Sequence, residues 1–423
     1  MERFRFHVVA LPYTQTNLDH CGCAYTLKVW NFCRMMMSLG HEVIHYGVEG
    51  SDVMCSEHVQ VMSLEEQRQL FGDYDWKKEM YRIEWDASKL YWQLFNSKTA
   101  MAIMKRQKPN DFLCLIGGVC HKPIADALPT MMPVEFGIGY TGVWSPFRVF
   151  ESNAHMHRML GAMEKDPNGH WYDAVIPNYF DPEMFPTSEE REDHMLFVGR
   201  LIARKGIKVS ADVSIATKVP LHLAGQGMKE YEPGKLTCQD NTVLEAPGLK
   251  YIGFLDHKQK AVEMAKAKAV IAPTMYLEPF GGVTVEAQLC GTPVITTNFG
   301  AFPEIVEHGK TGFRCQTLEQ FIYAVNHVDE LDRGYIRRRA QATWSIWRVR
   351  HLYQEYFTML HDIQVSQGWN TIRERTNKLD WLNPVEVPDG ETSDNPPTQV
   401  GAGGHGAYDG IGAGSTSPVS VQV

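Results

Sequence analysis

AVIAPTMYLEPFGGVTVEAQLCGTPVITT, residues 269–297, reads as strand, loop, helix and strand in fewer than thirty positions. Val270–Thr274 is an apolar run short enough for a strand, and TPVITT (292–297) is another. Between them Gly281–Leu289 opens a helix that Gly291 ends. Two strands joined through a helix form a βαβ unit, and such units build parallel sheets. The same grammar runs through the rest of the second half. HMLFVGR, GIKVSADVSIAT, VPLHLAGQG, LKYIGFL and HKQKAVEMAKAK alternate strand and helix from residue 194 to residue 268.

The first half repeats it. FRFHVVAL (4–11) reads as a buried strand, CAYTLKVWNFCRMMMSLG (23–40) as a helix closed by Gly40, and HEVIHYG (41–47) as the next strand. Apolar runs at 111–118, 133–139 and 173–178 predict further strands, with helices at about 86–107 and 147–161. IPNYFDPEMFPTSEE (176–190) is rich in Pro, Asn and Asp and reads as a linker. The fold class expected is therefore α/β, with two Rossmann-like domains whose parallel sheets face each other across a cleft. The boundaries expected are 1–182 and 183–344, followed by helices at 345–382 and a disordered tail rich in Gly, Pro, Ser and Thr at 383–423.

Composition narrows the function classes. A chain of 423 residues with 44% apolar and 22% charged residues is that of a globular protein. The net charge of −9 disfavours broad nucleic-acid binding. No apolar stretch approaches a membrane span, and MERFRFHVVALPY lacks a signal-peptide pattern. Nine scattered cysteines suggest free thiols in a reducing, cytoplasmic setting. Cys21 and Cys23 are poorly spaced for zinc, no acidic pair is placed to hold Mg²⁺, and neither a metal nor a cofactor is expected.

Open α/β sheets bind ligands at the carboxyl ends of their strands. Three such ends in the second half carry unusual residues. VGRLIARKG (198–206) places Arg200 and Lys205 just past a strand, where two cations can neutralise a diphosphate; two solvated surface cations would read the same in isolation. AGQGMKE (224–230) is a Gly turn that could lie against a nucleotide. In EPFGG, Gly281 and Gly282 let an anion or a hydroxylated ring approach the main chain at a helix N-terminus. Glu286 lies too far inside that helix to gain from its dipole, and a ribose diol would suit its carboxylate. Glu278, before the helix, is placed for a sugar hydroxyl; a capping Glu and a surface Glu are the plain alternatives.

FVGRLIARKG, LAGQG, YIGFL and APTMYLEPFGGVTVEAQLCGTPVITTNFGAFPEIVEHGKTGFRC follow one another from Met195 to Cys315 in an order that resembles glycosyltransferase family 4, retaining enzymes of GT-B fold. HYGVEGSD, NDFLCLIGGVCHKPIAD and FGIGYTG are similar to a subgroup common among phage and environmental sequences. The resemblance implies transfer of a sugar from a nucleotide-diphosphate sugar without a metal, with the donor on the second domain and the acceptor on the first. It implies that Arg200 and Lys205 bind the diphosphate, that Glu286 holds the ribose, and that Glu278 contacts the sugar or phosphate region. Phe280, Gly281 and Gly282 would offer backbone amides, with Gly199 and Gly225 also on the donor side. His121 would line the catalytic cleft, and Gly22 would let the donor approach the first loop. HCGCAYT (20–26) departs from the family, where many members carry Gly-Gly. The family's last helix often crosses back onto the first domain.

The acceptor is open: a glycan, a lipid-linked sugar, a protein side chain or a modified nucleobase, with peripheral membrane contact compatible. The aromatic-rich DYDWKKEMYRIEW (73–85) could contact it or be ordinary surface and core. Other readings are a GT-B epimerase or phosphorylase, or a non-catalytic nucleotide- or glycan-binding module.

Overall fold

In FRFHVVAL, Phe6 and Val8 on one side and His7 and Val9 on the other are all buried. A strand buried on both faces belongs in the middle of a sheet covered on both sides. The computed structural model, which describes residues 2–20, 22–162, 168–371 and 387, places it there. The first sheet contains β1 (Arg5–Val9), β2 (Glu42–Val48), β3 (Glu57–Met62), β4 (Phe112–Leu115), β5 (Met132–Ile138), β6 (Phe147–Phe150) and β7 (Ala174–Val175). Its order is β3-β2-β1-β4-β5-β6-β7, parallel throughout. Helices α1 (Ala24–Ser38), α2 (Leu64–Phe71), α3 (Leu90–Met104), α4 (Lys122–Asp126) and α5 (Asn153–Ala162) connect the strands.

The second sheet contains β8 (Met195–Val198), β9 (Leu221–Ala224), β13 (Leu249–Gly253), β14 (Ala269–Ala272), β15 (Val294–Thr297) and β16 (Gly312–Cys315). Its order, β13-β9-β8-β14-β15-β16, repeats the doubly wound pattern of the first. A small antiparallel meander, β10 (Met228–Glu232), β11 (Lys235–Cys238) and β12 (Val243–Glu245), is inserted after β9. The helices are α6 (Ile207–Thr217), α7 (His257–Lys266), α8 (Gly282–Leu289), α9 (Phe302–Ile305), α10 (Leu318–His327), α11 (Arg333–Trp344) and α12 (Ile346–Val365). No helix among the described residues is long and apolar enough to cross a membrane.

The chain passes between the domains twice. After Phe180 it enters the second domain, and after Trp344 it returns. The passages are bonded: Phe180 N donates to Trp344 O at 2.9 Å and Ile346 N to Phe180 O at 2.8 Å. Helix α12 then lies in the first domain's core, where Phe357 meets Phe6 at 4.7 Å and Phe112 at 4.9 Å. The first domain is therefore discontinuous.

Some sequence expectations change. Residues 147–150 are strand rather than helix, because Phe147, Val149 and Phe150 pair with β5 and β7, and α5 starts only at Asn153. The run at 173–178 contributes two strand residues, the helix expected at 86–107 spans Leu90–Met104, and β3, α2 and the meander were not anticipated. The tail expected at 383–423 falls outside the described residues apart from Val387.

Burial pushes the pKa of His45 and His121 down to about 3, and of His20 and His155 down to about 4. Their folded values lie below the unfolded value of about 6.5, so unfolding takes up protons as pH falls through that range. Each histidine stabilises fully above the unfolded pKa and loses about 1.4 kcal/mol per pH unit below it. Buried Glu135 and Glu151, raised by desolvation, oppose this, but burial also lowers His41, His58, His194, His222, His257 and His351, so the histidines dominate. Denaturant unfolding between about pH 7 and pH 5 should show stability falling with pH and net proton uptake. A flat profile would mean that these imidazoles are already hydrated.

Candidate functional site

In each sheet the strand order reverses beside the first strand, between β1 and β4 and between β8 and β14. Loops diverge at such a point and leave a crevice at the carboxyl ends of the strands. The sequence-selected residues gather at these two crevices.

In the second domain the loops after β8 and β14 are locked together. A Cβ at Gly206 would lie 1.8 Å from the Pro273 carbonyl oxygen, so only glycine permits this approach. Lys205 is thereby brought to Glu278, whose Oε2 accepts from its Nζ at 2.7 Å. Both side chains are largely buried, at 20% and 12% exposure, and the Tyr276 ring centroid lies 5.0 Å from Nζ. Burial works to lower the Lys205 pKa, but Glu278 and Tyr276 outweigh it and hold the ammonium charged. Arg200 is exposed.

Helix α8 is buried nearly all round, through Thr284, Val285, Glu286, Ala287, Gln288 and Leu289. Phe280 anchors the turn before it in the core, and Gly281 at the N-cap adopts φ +86° with no side chain capping the helix. The first N–H groups of α8 are therefore left for a ligand. Glu286 is 5% exposed, and its Oε1 accepts from Lys260 Nζ on α7 at 2.7 Å. Its Oε2 has no hydrogen-bond partner. The carboxylate thus has an internal partner that the sequence did not reveal, and one buried oxygen aimed at nothing. Gly199 and Gly225 pack main chain on main chain: a Cβ at Gly225 would lie 1.9 Å from Gly199 O.

In the first domain Gly22 meets the second: a Cβ there would touch the Phe254 ring at 3.4 Å. His121 is fully buried against Trp92 and Phe95. Its Nδ1 accepts from Gly117 N at 3.0 Å, which puts the proton on Nε2, and Nε2 has no partner. Burial holds the ring neutral, so His121 is a hydrogen-bond donor and not a base near neutral pH. The sequence missed a charged pair elsewhere in this domain. Lys28 on α1 and Glu151 at the end of β6 lie 2.5 Å apart, at 3% and 6% exposure.

Contacts between the domains close around these groups. Ser152 Oγ donates to Pro279 O, next to Glu278. Glu304 accepts from Asn153 N at 2.9 Å and Ala154 N at 2.8 Å, so a carboxylate of one domain caps helix α5 of the other. Gln226 Nε2 donates to the carbonyls of Trp76 and Glu79, and Trp76 stacks on His20 at 4.5 Å. The aromatic-rich stretch 73–85 is thus part of the domain contact.

Among the described residues one group could hold a metal: His194, His222 and Glu263, whose ligand atoms lie within 4.8 Å of one another. It lies at the amino ends of β8 and β9, away from both crevices. The two rings lie face to face at 3.8 Å, so their lone pairs run side by side instead of converging on an ion. Burial keeps both imidazoles neutral, and the charge of Lys250 adds to that effect.

Residues 181–334 match the family described as glycosyl transferases group 1. Glycogen synthase of Mycobacterium tuberculosis is 32% identical over 180 residues, 40% of this chain and 42% of that protein. Phosphatidyl-myo-inositol mannosyltransferase of Mycobacterium leprae is 28% identical over 189 residues, 41% of this chain and 49% of the relative. The chain spans less than half the length of these relatives. Solved structures align over far more of it. AviGT4, a glycosyltransferase involved in avilamycin A biosynthesis, superposes with a TM-score of 0.61 at 19% identity, covering 85% of this chain and 98% of its own. Sucrose-phosphate synthase from Thermosynechococcus elongatus gives 0.62 at 15% identity, covering 85% and 100%. Anabaena HepE in complex with UDP and glucose gives 0.57 at 15%, covering 84% and 100%. Over residues 181–334 the chain thus matches group 1 glycosyl transferases, and its two described domains have the GT-B fold of these solved structures.

Proposed function

We propose that the protein is a glycosyltransferase that moves a sugar from a nucleoside-diphosphate sugar to an acceptor hydroxyl. The observation that carries this is the convergence, at one switch point, of Lys205, the uncapped N-terminus of α8 and the unpartnered Oε2 of Glu286. The first two receive the diphosphate, with Arg200 adding charge from the exposed rim. Oε2 of Glu286 accepts from a ribose hydroxyl while Lys260 holds the other oxygen. The Nε2–H of His121 donates to a hydroxyl of the transferred sugar. The similarity to a structure titled as a complex with UDP and glucose supports this class of donor.

We read the reaction as retaining, in keeping with family 4. The bond from the anomeric carbon to the phosphate oxygen breaks as the acceptor oxygen bonds the same face of that carbon. The acceptor proton passes to the departing phosphate. Lys205 is shared with Glu278 in the resting protein, so diphosphate binding draws the ammonium away and frees Glu278 for the sugar. The charge that develops on the leaving group is met by Lys205, Arg200 and the helix N-terminus, fixed before the reaction starts. The reading assigns no role to an ion. The eight described cysteines are all free thiols, and we place the reaction in a reducing, cytoplasmic compartment.

A panel of nucleoside diphosphates and nucleotide sugars should raise the melting temperature of the protein for one base. A ligand at a hundred times its Kd adds about 2.7 kcal/mol. Glu286→Ala should weaken that binding by roughly tenfold, the loss of one hydrogen bond to a charged group. Lys205→Met should lower turnover by about 10²–10³-fold, as loss of leaving-group stabilisation does. No stabilisation of well-folded protein by any nucleotide would refute the donor site, and binding without transfer would make the chain a binding module. Glu304 supplies a separate check. A carboxylate at a helix N-terminus contributes about 0.3–1 kcal/mol, so Glu304→Ala should shift closed domains toward open by up to roughly fivefold. Small-angle scattering would show this as a larger radius of gyration without nucleotide.

A further inference from the structure

The first domain's charged pair has no part in the donor site. Lys28 donates to Gly137 O at 2.8 Å as well as pairing with Glu151. Strand β5 and the residue that follows it make room for both. A Cβ at Gly139 would lie 1.9 Å from Glu151 Oε1, and one at Gly137 would lie 2.9 Å from Lys28 Cδ. Gly137 adopts φ +59° where the pairing of β5 with β6 shifts register between Glu135 and Ile138, and this irregularity turns the main chain to admit both side chains. Apolar side chains of similar volume would stabilise such a place as well as an ion pair or better. Packing alone therefore does not account for the pair.

Its surroundings point to a ligand. Glu151 and Glu278 flank a direct contact between the domains, in which Ser152 Oγ donates to Pro279 O. The Tyr25 hydroxyl donates to Gly139 O at 3.3 Å, and Lys28 Nζ lies 4.9 Å from the Tyr25 ring centroid. Beyond Tyr25 stands Trp85, 42% exposed, meeting Tyr25 edge-on at 5.6 Å and Tyr13 at 6.3 Å. An open indole, a phenol and a buried ammonium–carboxylate pair thus form one row leading toward Glu278.

We propose that this row is the acceptor subsite and that the acceptor is a neutral sugar ring, an inference that rests on the transferase reading above. The ring's apolar face lies on Trp85, and its hydroxyls bond Glu151 and Lys28. A carboxylate only accepts and an ammonium only donates, so together they hold adjacent hydroxyls, each of which can do either. An indole presents a large apolar face with little entropy to lose. The pair is balanced within itself, so it offers no surplus charge to hold an anionic or a cationic acceptor.

The test uses the whole protein with nucleoside diphosphate bound, and methyl and dodecyl glycosides of the same neutral hexoses, the dodecyl compounds in neutral lipid vesicles. Saturation-transfer NMR reads glycoside binding, and thermal shift reads nucleotide binding. At least one glycoside should bind wild type, and Trp85→Ala and Glu151→Gln should each weaken it roughly tenfold while nucleotide stabilisation is kept. Because Glu151→Gln leaves Lys28 buried without a counter-charge, Lys28→Gln/Glu151→Gln repeats the test with a neutral pair. Equal binding of methyl and dodecyl forms supports a soluble or glycan-borne sugar. Binding of the dodecyl form alone supports a lipid-borne one. If nucleotide stabilises the protein but no glycoside binds, or the variants bind glycoside as wild type does, the subsite is overturned and the donor reading stands. If no nucleotide stabilises wild type, the transferase reading fails, and this assignment with it.

Discussion

The two chain passages that bond to each other at Phe180 and Ser345 constrain everything else in the molecule. One passage would leave a single covalent pivot with torsional freedom. Two, joined through backbone hydrogen bonds, limit relative motion of the domains to a bending about the pair. The domains also touch close to this seam, where Ser152 meets Pro279 and Glu304 caps α5, since a Cβ at Gly282 would lie 3.4 Å from the Phe180 ring. Those contacts are polar, and apolar ones join them where Trp76 meets Phe254 at 5.8 Å. Helix α12 fixes the pivot in place, since Tyr353, Phe357 and Leu360 are fully buried in the first domain.

Charge is concentrated where the two sheets end. Lys205 with Glu278, Lys260 with Glu286 and Lys28 with Glu151 are three largely buried pairs. Buried pairs contribute little net stability once desolvation is counted. They do keep charges in fixed positions with little water near, where a reacting ligand meets dipoles already oriented. The pairs differ in setting: Glu286 keeps a carboxylate oxygen without a donor, and Lys28 and Glu151 fill a slot that Gly137 and Gly139 clear for them.

Much of this was legible in the chain. The βαβ alternation of the second half predicts a parallel sheet because the strands are buried on both faces and the helices recur between them. Glu278 and the glycines stand out because they interrupt an otherwise apolar βα junction. Other features left no local trace. Lys28 and Glu151 are far apart in sequence, and nothing near either announces the other. The same holds for Lys260 and Glu286. His121 reads as an ordinary loop histidine until Gly117, Trp92 and Phe95 are seen around it. FRVF is too short a run to tell strand from the start of the helix that follows it, and only pairing with β5 and β7 decides it. The meander at 228–245 could have been found, since KEYEPGKLT carries a Pro-Gly turn between polar strands.

The bonded double passage also says something about how such a molecule can be rebuilt. Residues 181–344 leave and re-enter the first domain at neighbouring backbone positions, so the second domain is a cassette with adjoining ends. A foreign cassette of the same fold could be spliced there without stretching the recipient, because the junction asks only for two strands of chain side by side. The stretch that matches a known family, 181–334, falls wholly inside this cassette. Recombination at one hydrogen-bonded seam would let the two halves of the chain diversify separately, one keeping its chemistry while the other changes what it meets.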